Sequence, residues 1–98
     1  MAHGRGALRI GVNLFALSLG GGGMRQYVLQ LLPGLLRHSP HSLVLFYAAQ
    51  GQPSLAALLR RLHPAERNRV RTVPISDQEQ IFPHAGAFDV YFCPLNAL

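Results

Sequence analysis

The chain has 98 residues, of which 49% are hydrophobic and 13% are charged, and its formal net charge is +5. This composition is typical of one small globular domain and excludes a disordered segment, and no apolar run is long enough to span a membrane. The single Cys93 excludes an internal disulfide and a cysteine metal cluster. The first residues lack the apolar stretch of a secretory signal, so we expect a cytoplasmic protein.

The first third of the chain predicts a strand, a glycine-rich turn and a helix. Residues 8–15 form a nearly continuous apolar run, which is typical of a parallel strand buried on both faces. Four consecutive glycines follow at positions 20–23. Residues 24–36 then place apolar side chains at helical spacing, and Pro33 predicts a kink in that helix.

The same alternation continues to the end of the chain. Strands are predicted over residues 42–48, 70–75 and 88–93, a helix over 53–62, and an irregular segment over 76–87 with one helical turn near its start. Such alternation indicates an α/β fold with a Rossmann-like parallel sheet, for which we predict the strand order 3-2-1-4. Both helices would then cover one face of the sheet, and residues 76–87 would cover the other.

This strand order predicts where a ligand would bind. Strands 1 and 4 lie side by side at the switch point of the sheet, and ligands bind beyond the carboxyl ends of strands at such a point. The glycine loop and the residues after strand 4, Pro94 and Asn96, would line this crevice. The N-terminus of the first helix directs unpaired N–H groups into the same space, which favours a phosphate group. A glycine run is also typical of a plain surface loop, and that interpretation stays open.

Several common sites are excluded by what the sequence lacks. The dinucleotide fingerprint fails because no third glycine stands at the required position, and the first acidic residue of the chain is Glu66, too late to hold a ribose. Without any lysine, an ordinary P-loop is excluded. Asp77 and Glu79 are interpreted as solvated side chains, and the five histidines have no companions at metal-ligand spacing. We therefore expect no metal and no bound cofactor.

Five of the nine arginines fall within residues 60–71. Such a cluster is typical of a solvated face, but it can also contact an anionic membrane, a phosphorylated substrate or nucleic acid. No aromatic residues are interleaved with these arginines and no nucleic-acid-binding motif is present, so we do not expect a nucleic-acid partner.

Three segments together resemble a known family. The sequences RIGVNL at 9–14, GGGMRQYV at 21–28 and LLPGL at 31–35 resemble the start of the retaining group 1 (family 4) glycosyltransferases of the GT-B fold. Residues 42–47 are similar to the second strand of that pattern, and FDVYFCP at 88–94 is similar to its F-D-V-x-x-x-P strand end. The resemblance covers about residues 8–96.

This resemblance implies a transferase of the hexosyltransferase type that moves a sugar from a nucleotide-sugar to a sugar or lipid-linked acceptor. The chain would be part of the N-terminal, acceptor-side domain. Gly21, Gly22 and Gly23 would approach the donor diphosphate, and Arg25 would be their charge partner. The donor-binding domain with its Glu-x7-Glu signature is absent from these residues, so the chain is expected to be a fragment that is inactive alone. Peripheral contact with an anionic membrane is a further expectation.

Two other classes remain open at this stage. One is a stand-alone small α/β module that binds a phosphorylated ligand or a partner protein. The other is the start of a different α/β enzyme, such as a sugar-nucleotide epimerase or a flavodoxin-like protein.

Overall fold

The computed structural model describes residues 7–17 and 22–94, and for residues 22–25 it describes the backbone alone. Four strands and three α-helices occur in these residues: β1 Arg9–Leu14, α1 Gly22–Arg37, β2 Ser42–Tyr47, α2 Gln52–Arg60, α3 Pro64–Arg67, β3 Val70–Pro74 and β4 Val90–Phe92. A 3-10 turn, Ala49–Gly51, precedes α2. A longer run of 3-10 turns, Gln78–Ala87, connects β3 to β4 and is called the 3-10 segment below.

The sheet confirms the predicted fold class and topology. All three strand pairings are parallel, and the order is β3-β2-β1-β4. The central strand β1 aligns Gly11 with Val44 on one side and with Tyr91 on the other. The carboxyl ends of β1 and β4 therefore lie next to each other, as expected for a switch point.

The two faces of the sheet are covered very differently. Helices α1 and α2 pack on one face and form the larger core, whose members include Val12, Leu32 and Leu45, all fully buried. The 3-10 segment packs on the other face through Ile81, against Phe46 and its neighbours. Both helices thus lie on the same face, as predicted, and a single irregular segment partly covers the opposite, open face.

The open face leaves large apolar side chains in contact with solvent. Phe82 of the 3-10 segment is 74% exposed, and Tyr91 of β4 is 50% exposed. Apolar side chains grouped in this way usually mark a surface that contacts something else. Among the described residues, no helix combines the length and the hydrophobicity needed to cross a bilayer.

Three elements differ from the sequence-based expectation. Helix α1 begins at Gly22, two residues before the predicted start, and continues through the buried Pro33 to Arg37. Helix α3 was not predicted, because its four residues are too short to show a helical period. Strand β4 is limited to Val90–Phe92: Phe88 has an extended backbone, but it precedes the paired residues.

Candidate functional site

The switch point brings the start of α1 to the carboxyl edge of the sheet. Because β1 and β2 are parallel, α1 must run from the carboxyl edge back to the amino edge, so its first turn lies beyond the end of β1. Gly22 and Gly23 are helical residues in that first turn, which contains no acidic residue. The first N–H groups of an α-helix have no partner within the helix, and its N-terminus carries a partial positive charge, so this position favours an anion.

The structure describes some of the predicted site residues and not others. Gly22, Gly23 and Arg25 lie in the first turn of α1, where the backbone is described and the Arg25 side chain is not. Gly21 and Asn96 lie outside the described residues. Pro94 is half-buried just after β4, next to the same edge of the sheet. The expected loop of glycines is in part helix, so Gly22 and Gly23 contribute helical N–H groups rather than a left-handed turn.

Asn13, which the sequence analysis did not single out, is the buried polar residue at this edge. Its exposed fraction is only 3%, and it stands one residue before the end of β1. Its Oδ1 accepts a hydrogen bond from the backbone N–H of Phe15 at 2.9 Å. Its Nδ2 donates to Gln78 Oε1 at 2.6 Å and to the Tyr91 hydroxyl at 2.8 Å. One side chain thus links β1, the 3-10 segment and β4.

An aromatic cavity lies beside Asn13 on the open face. Its volume is about 240 Å³, and its lining is neutral, composed of Gln78, Ile81, Phe82, Ala85, Phe88 and Tyr91. The rings of Phe88 and Tyr91 are tilted by 31° with centroids 6.1 Å apart, and Phe88 meets Phe46 edge to face at 5.8 Å. This cavity could not be predicted from the sequence, because its lining comes from an irregular segment and a short strand.

The arginine cluster at the amino edge is divided between structure and surface. Arg69 donates hydrogen bonds to the carbonyl oxygen of Leu36 in the last turn of α1 and to those of Ser39 and His41 in the loop that follows. Arg67 donates to the Leu59 carbonyl at 2.9 Å. Within the part of the chain that the structure describes, Arg60, Arg61 and Arg71 are exposed and make no hydrogen bond or ion pair.

Two ion pairs also stand at this edge. Arg37 binds Glu66 at 2.8 Å and Arg9 binds Asp89 at 2.9 Å. The pKa of Glu66 is lowered to about 2, mainly by its hydrogen bond from Arg37. The pKa of Asp89 is likewise lowered to about 2, mainly by its hydrogen bond from Arg9. Both carboxylates connect segments of the fold, and neither is near the switch point. Asp77 and Glu79 are exposed, with Asp77 capping the 3-10 segment by accepting from the Glu79 N–H.

A metal centre has no candidate in the described ranges, where no three metal-ligating side chains come together. Comparison of the chain with protein-family models, with curated proteins and with solved structures gives no match in any of the three. The geometry of the switch point and the residues around it are therefore the observations that bear on function.

Proposed function

We propose that this chain is the acceptor-side part of a retaining glycosyltransferase that uses a nucleotide-sugar donor. The observation that supports the proposal is the start of α1 at the carboxyl edge of a 3-2-1-4 sheet, with two glycines and no acid in its first turn. A diphosphate gains negative charge when the sugar leaves it, and preorganised N–H groups stabilise that charge.

The glycines matter because they leave the helix N-terminus uncovered. A phosphate oxygen must come within hydrogen-bond distance of the backbone N–H groups, and a branched side chain at Gly22 would crowd that approach. Arg25 would add a cation to the first turn, where it opposes the helix dipole unless an anion is bound. Gly21 and Asn96 are proposed to complete the crevice, and Pro94 follows the strand that borders it.

The proposal is tested by titrating the chain with uridine diphosphate while recording backbone amide resonances. We expect the amides of Gly22, Gly23 and Arg25 to shift, whereas Gly34, near the other end of the same helix, stays in place. Gly22→Val should weaken binding at least tenfold, because it obstructs several N–H donors. Gly34→Ala is the matched control, because a Cβ there meets no atom within 4 Å.

The stand-alone phosphate-binding module is distinguished by comparing probes. A sugar transferase should bind uridine diphosphate more tightly than inorganic phosphate, whereas a phosphate module should bind both with similar affinity. If the chain binds neither, or if the shifts fall outside the first turn of α1, the switch point is not a diphosphate site. The transferases that the chain resembles hold their donor with a second α/β domain carrying Glu-x7-Glu, so the proposal assigns transfer only to the two domains together.

A peripheral membrane contact is proposed for the amino edge. Arg60, Arg61 and Arg71 present three exposed guanidinium groups there without bonds to the described part of the chain. Each basic residue near an anionic surface contributes about 1 kcal/mol, and the attraction is screened by salt. Vesicles with phosphatidylserine should bind the chain more tightly than neutral vesicles. Equal binding to both would refute the contact, and Arg60→Gln with Arg61→Gln should reduce the difference.

A further inference from the structure

We infer that the aromatic cavity on the open face is a binding site for a small planar aromatic molecule that carries a hydrogen-bond acceptor, such as a ring with a carbonyl group. This site is separate from the proposed diphosphate site, because it lies over the open face of the sheet and uses none of the α1 residues.

The size and the walls of the cavity select the shape of the ligand. About 240 Å³ is below the roughly 300–1,000 Å³ that is typical of drug-sized ligands, so one ring or two fused rings would fill it. Three of its six lining residues are aromatic: Phe82, Phe88 and Tyr91. Aromatic rings pair favourably with other rings in offset or edge-to-face geometry. Since no charged side chain lines the cavity, a neutral ligand is favoured.

The hydrogen bonds of Asn13 select the polarity of the ligand. The backbone N–H of Phe15 can only donate, so Asn13 must direct its Oδ1 towards it and its Nδ2 away from it. Asn13 Nδ2 then donates to Gln78 Oε1 and to the Tyr91 oxygen. The oxygen atoms of Gln78 and Tyr91, which both line the cavity, thus each accept a hydrogen bond from Asn13, which does not line it.

Donor groups of the same two lining residues are left for a ligand. The Tyr91 hydroxyl proton and the Gln78 amide N–H groups have no acceptor in the part of the chain that the structure describes. Both residues line the cavity, so a molecule in it lies next to their side chains. A ligand that offers a carbonyl oxygen at this edge satisfies a donor, whereas a purely hydrocarbon ring leaves it to water.

The inference is tested with two probes of nearly the same size, acetophenone and ethylbenzene, titrated into the whole chain. Acetophenone should bind about three- to tenfold more tightly, the value of one net hydrogen bond. Tyr91→Phe keeps the ring but removes the donor, and it should abolish this preference. Tyr27→Phe is the matched control, because Tyr27 is equally exposed, at 51%, and lies on α1, which packs on the other face of the sheet.

A second variant tests the cavity itself. Ala85→Leu places additional carbon atoms at the cavity lining and should weaken the binding of both probes at least tenfold, with a thermal melt recorded to verify folding. The site is refuted if wild type shows no preference for acetophenone, if Tyr27→Phe has the effect of Tyr91→Phe, or if Ala85→Leu binds normally. A dimer that binds neither probe would also refute it, and would identify the open face as a protein interface.

Discussion

Replacing Gly11 with alanine should destabilise the protein through one specific overlap. Gly11 is buried in the middle of β1 and faces the open side of the sheet, where the Phe88 ring lies directly over it. A Cβ at this position would be 2.6 Å from both Cγ and Cδ2 of Phe88 and 2.9 Å from Cε2. Cγ is the base of the ring, so rotation of the ring cannot relieve the overlap.

The neighbours of Phe88 determine how large the effect is. Its ring contacts Phe46 and Tyr91, so it can move away from β1 only by disturbing the smaller core and the aromatic cavity. Overpacking of this kind destabilises the folded state by about 1–3 kcal/mol. Alanine also restricts the unfolded chain more than glycine does, which stabilises the protein by about 0.5–1 kcal/mol. The net loss is therefore up to about 2.5 kcal/mol, and its middle value of about 1.3 kcal/mol should lower the melting temperature by roughly 5–10 °C in a domain of this size.

Thermal unfolding followed by circular dichroism measures this effect. Gly34→Ala is the control with the opposite sign: it lies inside α1 with no atom within 4 Å of a new Cβ, so it should stabilise the chain by about 0.5–1 kcal/mol. In a Phe88→Ala background, Gly11→Ala should no longer be destabilising, which gives a coupling equal to the overpacking cost of about 1–3 kcal/mol. A Gly11→Ala variant that melts at or above the wild-type temperature would show that the overlap has no energetic weight.

Three further predictions concern charge and exposure. The pKa values of Glu66 and Asp89 fall from 4.5 and 3.8 to about 2 on folding, so the unfolded state binds more protons than the folded state between these pH values. The free energy of unfolding, measured with urea, should therefore fall from about pH 4.5 towards pH 2, and a constant value would contradict the ion pairs. Arg69→Gln should destabilise the chain by about 1–3 kcal/mol, because the carbonyl oxygens of Leu36, Ser39 and His41 lose their hydrogen-bond donor. Arg71→Gln, at an exposed position, should change the free energy of unfolding by no more than about 0.5 kcal/mol. Phe82→Ser should reduce the binding of a hydrophobic dye without lowering the melting temperature, since Phe82 is 74% exposed; unchanged dye binding would show that the open face is not the surface that binds the dye.

The sequence was sufficient for the fold because its signals are local and repeated. A continuous apolar run predicted the buried strand β1, and apolar side chains at helical spacing predicted α1. Alternation of the two patterns then left a parallel sheet, and the order of its strands followed from short right-handed connections. The same spacing predicted that the first helix includes Pro33, and α1 does continue past it to Arg37. The kink expected at Pro33 stays a prediction.

The candidate sites divide along the same line. The glycine-rich start of α1 and the residues after β4 could be assigned to one crevice from the strand order alone, and their proposed role in binding a diphosphate stays a prediction. Asn13 could have been noticed as the one uncharged polar side chain in the β1 run, which is a signal in the sequence. Its partners could not, because Gln78 and Tyr91 are 65 and 78 residues away along the chain.

By itself, the sequence determined the elements, their parallel arrangement and the edge of the sheet at which the switch point lies, because hydrophobic period and chain connectivity are properties of neighbouring residues. The tertiary structure decided which arginines cap helices and which remain exposed, since Arg69 and Arg71 are two residues apart and differ only in what surrounds them. It also decided that Phe88 lies over Gly11 and that Asn13 donates hydrogen bonds to Gln78 and Tyr91, two residues that line the aromatic cavity. These features depend on contacts between distant segments, which exist only once the sheet has formed.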